Sequence, residues 1–196
     1  MPPRQTFRTI PSLWLVSDQR TDAVLERALR RLPRGSGLVY RHYHLPAPER
    51  AARFRQLARL CRQRGLVAVW AGDAVTARRV GADGAYGAPG ALATGPSSLR
   101  LVTAHSLHEL GAALRARADL VLLSPVFPTR SHPGAATLGP LRWLAIARHS
   151  PVLVAALGGM TAHRARRLPG YGWAAIDGLA GLAWTHRKSP GNPMDS

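Results

Sequence analysis

Short runs of apolar residues recur along the chain, and each is followed by a longer stretch whose apolar positions fall at three- and four-residue spacing. The runs predict strands over Ser12–Ser17, Gly37–Arg41, Leu66–Trp70, Gly84–Gly87, Arg100–Ala104, Leu120–Ser124, Val152–Leu157 and Ala174–Gly178. The intervening stretches predict amphipathic helices. Phe54, Leu57, Ala58 and Cys61, for example, stand at i, i+3, i+4 and i+7 with arginines between them. Ser106 and Glu109 have the spacing of a capping box, while Thr161 suits an N-cap and Pro140 a first helical turn. Strands that are apolar on both faces, each followed by a crossover helix, require a parallel sheet covered by helices. Eight such units predict an α/β fold, a compact (β/α)8 TIM barrel. The alternative, an open doubly wound sheet, is disfavoured because the first βα turn, Ser17-Asp18-Gln19-Arg20, lacks the glycines of a dinucleotide fingerprint.

At 196 residues the chain accommodates one domain. The barrel is expected over residues 10–184, with residues 1–9 and 185–196, which lack periodicity, as flexible ends. No apolar run approaches the roughly 20 residues of a membrane span, and the N-terminal segment lacks the pattern of a secretory signal, so a cytoplasmic protein without membrane contact is expected. Cys61 is the sole cysteine, which excludes an internal disulfide and a cysteine metal cluster. A formal charge of +17 predicts nonspecific attraction to polyanions. The arginines are spread over every predicted helix and no nucleic-acid module has its spacing here, so no specific nucleic-acid partner is expected.

Barrels of this kind place their chemistry just beyond the C-terminal ends of the strands. The residues there are Asp18, Arg41, Tyr43, Asp73, His105, Thr129 to His132, Gly158, Gly159 and Gly178. Gly158, Gly159 and Gly178 follow strands seven and eight, where backbone N–H groups often cradle a phosphate, although a Gly-Gly also serves as a plain tight turn before a helix. The long loop Pro125–Gly134 holds hydroxyls and cations between prolines and reads either as a lid over an anion or as an ordinary surface loop. His105, at the end of strand five, has a side chain suited to proton transfer near neutrality, or to a purely structural role.

The segments LWLVSD, LVYRHY, VGADGAYG, LVTAHSLHEL, ADLVLLSPVFPTRSHPG and VLVAALGGM, in this order, resemble successive motifs of the thiamine phosphate synthase and TenI-like family. The resemblance runs from about residue 12 to residue 182 and implies binding of a phosphorylated thiazole. It implies that Arg41, Thr129 and the Gly158–Gly159 turn face phosphate groups and that Thr103 is a pocket hydroxyl; Ser131, His132, Gly178 and Tyr43 are further expected phosphate- or substrate-binding residues. Synthases of the family join a pyrimidine methyl pyrophosphate to a thiazole phosphate with the help of Mg²⁺.

Several positions depart from the synthase pattern. Val39 and Tyr43 stand where a glutamine and a lysine are expected, His132 replaces the lysine closing the SPVFPT loop, and Ala180 the serine after strand eight. Ala71-Gly72 replaces the Asn-Asp pair after strand three, and no acid occurs between Asp83 and Glu109. Asp18 and Asp73 remain as weak metal candidates, Mg²⁺ is expected only if the chain is a true synthase, and Arg78, Arg79 or Arg100 are potential substitutes for the metal charge. The TenI-like branch tautomerises a thiazole carboxylate phosphate with a histidine after strand five. The expected function is therefore metal-independent proton transfer with His105 and Arg41 as catalytic residues. A divergent thiamine phosphate synthase and a noncatalytic thiazole or thiamine phosphate carrier are the alternatives.

Overall fold

A computed structural model describes residues 9–180 except 97, 132 and 133. The strands are β1 (Leu13–Val16), β2 (Gly37–Tyr40), β3 (Val67–Ala71), β4 (Gly84–Gly87), β5 (Leu99–Ala104), β6 (Leu120–Leu123), β7 (Leu153–Ala156) and β8 (Gly172–Ala175). All pair in parallel in sequence order, and β8 returns to β1 through Leu13–Trp173 and Leu15–Ala175 to close the barrel. The helices are α1 (Asp22–Arg31), α2 (Ala47–Arg64), α3 (Ala74–Arg79), α4 (Pro89–Leu92), α5 (Leu107–Arg115), α6 (Gly139–Ala147), α7 (Ala162–Ala165) and α8 (Asp177–Ala180). No helix among the described residues is long and apolar enough to cross a membrane. The expected flexible ends, apart from Thr9, lie outside the described residues.

The period-two alternation of each strand divides the core into two layers. Trp14, Val16, Val39, Val69, Leu99, Leu101, Leu120, Leu122 and Ala174 fill the barrel interior, whereas Leu15, Leu38, Tyr40, Trp70, Val102, Val121 and Leu123 face the helices. Trp14 plugs the N-terminal end of the barrel, with its indole N–H donating to the Pro11 carbonyl at 2.7 Å. Gly37 makes room for it, because a Cβ there would overlap the Trp14 ring. Trp143 anchors α6 by donating to the Leu123 carbonyl at 2.9 Å. Truncating this buried indole (Trp143→Ala) is expected to cost about 3–5 kcal/mol in urea denaturation.

The helix starts follow from local chemistry. Ser106 Oγ accepts from the Glu109 N–H at 3.2 Å, and Thr161 Oγ1 accepts from the Arg164 N–H at 3.2 Å. Pro140 falls in the first turn of α6. Two expectations need correction. Strand eight spans Gly172–Ala175 rather than Ala174–Gly178, because its pairing begins where the Trp173 N–H donates to the Ser12 carbonyl at 2.8 Å; Gly178 belongs to α8. Arg100 does not serve the mouth. It is an even-numbered residue of β5, faces the helices, and donates to the carbonyls of Ala116 and Gly95, while Arg78 and Arg79 lie exposed on α3.

Candidate functional site

The C-terminal ends of the strands surround a two-lobed cavity. The central mouth, about 510 Å³, is lined by Arg41, Tyr43, Tyr86, Thr103, His105 and Ser124 together with Thr129, Ser131 and Gly158. A smaller cup of about 200 Å³ adjoins it, formed by Thr129, Arg130, Gly158, Gly159, Thr161, Arg164, Asp177 and Gly178. The lobes share Thr129, Leu157, Gly158 and Ile176, so one elongated ligand can span both. The β6–α6 loop supplies Thr129 and Ser131 to the wall, and Arg20 ties it to the rim by donating to Ser131 Oγ at 3.3 Å. His132 lies outside the described residues.

Arg41 is fixed through its own peptide groups. Its N–H donates to Ser17 Oγ at 2.8 Å and its carbonyl accepts from Arg50 Nε at 2.8 Å. Arg50 also donates to the Ala71 carbonyl at 2.6 Å, and its guanidinium lies 3.9 Å from the Trp70 ring centroid, which joins the tops of β2 and β3. Ser17 Oγ lies 2.9 Å from His42 Nδ1, and because it already accepts from Arg41 it is placed to donate to that nitrogen. His42 is buried at φ 29°, stacked on Tyr40. Its Nε2 approaches Asp22 Oδ1 to 3.0 Å at an angle too poor for a good hydrogen bond, so the pair is an electrostatic contact. With Ser17 wholly buried, this Ser-His-Asp set supports Arg41 and offers no nucleophile to a substrate.

Burial holds the His42 pKa below its ordinary 6.5, despite the opposing pull of Asp22. The unfolded chain therefore takes up this proton at a higher pH than the folded one. Its contribution to stability is complete above 6.5 and is lost as pH falls through the lower folded value. Thermal denaturation is expected to show Tm falling as pH drops below about 6.5, with a shallower decline in His42→Asn.

His105 lines the mouth with its ring oriented by β6. Nδ1 lies 2.9 Å from the Ser124 carbonyl oxygen, which only accepts, so Nδ1 carries a hydrogen and Nε2 is the ring nitrogen left to face the mouth. Glu109 accepts from the His105 N–H at 3.0 Å, one residue earlier than a standard capping box, and so fixes the backbone of His105. Burial pushes the Tyr86 phenol up to about 12, which keeps it a neutral hydrogen-bond donor in the mouth. Tyr86 and Ser124 belong to the cavity but were not singled out from the sequence. The signal for Tyr86 was its inward phase in β4, two residues from the inward-facing Gly84.

The acids do not assemble a cation site. Asp18 caps the turn after β1 and pairs with Arg20 at 2.8 Å; that bond holds its carboxyl below the usual range. Asp73 accepts from the Thr76 N–H at 2.8 Å as the cap of α3, which lowers its pKa in the same way. Among the described residues no acid lines the mouth, and no group of three potential metal ligands occurs. The donor set at the strand ends thus does not fit the Mg²⁺ expected of a synthase.

The thiamine monophosphate synthase model, which includes the TenI proteins, matches residues 13–181. The chain belongs to this family. Family membership places it in thiamine biosynthesis. It is 32% identical over 193 residues to thiamine-phosphate synthase of Chromobacterium violaceum, covering 93% of this chain and 90% of that one. The fold is shared with thiamine phosphate pyrophosphorylase from Pyrococcus furiosus, at a TM-score of 0.76, 22% identity and 89% coverage of each chain. It is also shared with thiamine phosphate pyrophosphorylase from Bacteroides thetaiotaomicron, at a TM-score of 0.58, 17% identity and coverage of 90% and 89%.

Proposed function

We propose that this family member is a divergent thiamine phosphate synthase that joins a thiazole phosphate to a pyrimidine methyl pyrophosphate. The similarity to the Chromobacterium synthase, over nearly the full length of both chains, carries this reading. It ranks the synthase above the tautomerase expected from the sequence. In the proposed pose the thiazole phosphate group occupies the cup, the ring lies in the mouth, and Arg41 faces the second substrate's pyrophosphate. The thiazole ring nitrogen forms a C–N bond to the pyrimidine methylene carbon as the C–O bond from that carbon to pyrophosphate breaks, and the negative charge leaving with the pyrophosphate is met by Arg41.

A second reading, metal-free tautomerisation of a thiazole carboxylate phosphate, is favoured by one specific observation. With Nδ1 engaged by the Ser124 carbonyl, His105 has Nε2 available to move a proton between two ring positions, in a mouth that no acid lines among the described residues.

Incubation with both synthase substrates, with and without Mg²⁺, followed by chromatography for thiamine phosphate, tests the first reading. The precursor carboxylate supplied alone tests the second. Thiamine phosphate formation supports the synthase. Isomerisation of the precursor, lowered about 10²- to 10⁴-fold in His105→Ala, would replace it with the tautomerase. Binding of thiazole phosphate with neither turnover would leave a carrier.

A further inference from the structure

We infer that Arg164 is the residue by which the cup distinguishes a phosphate monoester from the corresponding free alcohol. The inference rests on the cup receiving the ligand phosphate. Among the described residues three charged side chains line this lobe, namely Arg130, Arg164 and Asp177. Arg130 is exposed on the β6–α6 loop. Asp177 is 40% exposed and lies 3.8 Å from Arg20 across the rim, and its charge opposes an anion.

Of these three, Arg164 is the one held on two sides. One Nη1 hydrogen goes to the Gly159 carbonyl, and the guanidinium carbon lies 4.8 Å from the Phe127 ring centroid. The Arg164 N–H is engaged by Thr161 Oγ1, which sets where the side chain leaves the backbone. A guanidinium has five N–H donors, so one bond to Gly159 and a stacked face leave others free for phosphate oxygens. Because the side chain is already curled over the Gly158–Gly159 turn, binding costs it little further rotamer entropy.

The test is calorimetric titration of the full chain with thiazole phosphate and, separately, with the free thiazole alcohol. Wild type is expected to bind the phosphate ester more tightly. Arg164→Ala is expected to weaken the ester about 10- to 100-fold and to leave the alcohol within about twofold. Arg164→Gln retains a donor for the Gly159 carbonyl and should show the same selective loss, which guards against a misfolded alanine variant. Asp177→Asn, which removes the opposing charge, should tighten the ester about two- to fivefold. Arg167→Ala is the control, because Arg167 also lies over Phe127, at 5.7 Å, but does not line the cup; it should change neither affinity. Equal weakening of ester and alcohol in both Arg164 variants, or no change, overturns the assignment while the cup stands. If wild type fails to prefer the ester, the placement of the phosphate in the cup fails as well.

Discussion

Replacing Gly159 with alanine is expected to abolish measurable binding of thiazole phosphate and to destabilise the fold by about 2–4 kcal/mol. Gly159 has φ +62°, where a side chain is strained. A Cβ at this position would overlap the Pro128 carbonyl oxygen and come within 2.9 Å of Phe127 Cβ. Both neighbours belong to the β6–α6 loop, which carries Thr129 into the cavity. Relief of the clash would push that loop away and open the cup. Gly35 supplies the comparison: it also has a positive φ, +79°, but a Cβ there would meet no heavy atom within 4 Å. Gly35→Ala should cost only about 1 kcal/mol by urea denaturation and leave ligand affinity unchanged.

Arg41→Ala is expected to lower kcat/KM for thiamine phosphate formation about 10²- to 10³-fold, the usual effect of removing a placed donor from developing negative charge. Arg41→Lys should recover only part of the rate, because an ammonium lacks the fork that meets two oxygens at once. The support beneath Arg41 sharpens the prediction. Ser17→Ala leaves the Arg41 N–H and His42 Nδ1 without their present partner, and such buried losses cost about 1–3 kcal/mol. Its effect on rate should be smaller than that of Arg41→Ala, since the guanidinium itself remains.

The barrel was legible because its strands announce themselves as apolar runs and its helices as stripes, and because Ser106 and Thr161 mark helix starts by side-chain chemistry. The eighth strand was read two residues late because it opens on Gly172 and Trp173, whose membership is decided by pairing with β1 and β7. Position at strand ends was enough to single out Arg41, Tyr43, His105, Thr129, Gly158, Gly159 and Gly178, all of which line one lobe or the other. Thr103, suggested by the family resemblance, lines the mouth as well.

Roles that depend on neighbours were not legible. Asp18 and Asp73 were candidates as acids near strand ends, and only the structure shows both engaged as caps. Arg100 looked available in the sequence, yet the phase of β5 turns it outward. Arg164 is one of many helix arginines until Phe127 and the Gly159 carbonyl are seen to hold it over the cup.

The proposed function requires a thiazole phosphate to bind across both lobes, at the C-terminal ends of the strands. Titration of ¹⁵N-labelled protein with thiazole phosphate, followed by amide chemical shifts, tests it most directly. The largest shifts are expected at Gly158, Gly159 and Gly178 in the cup and at Thr103 and His105 in the mouth. Shifts confined to the opposite end of the barrel, around the cavity beside Leu153 and Tyr171, or no shifts at saturating ligand, would contradict it.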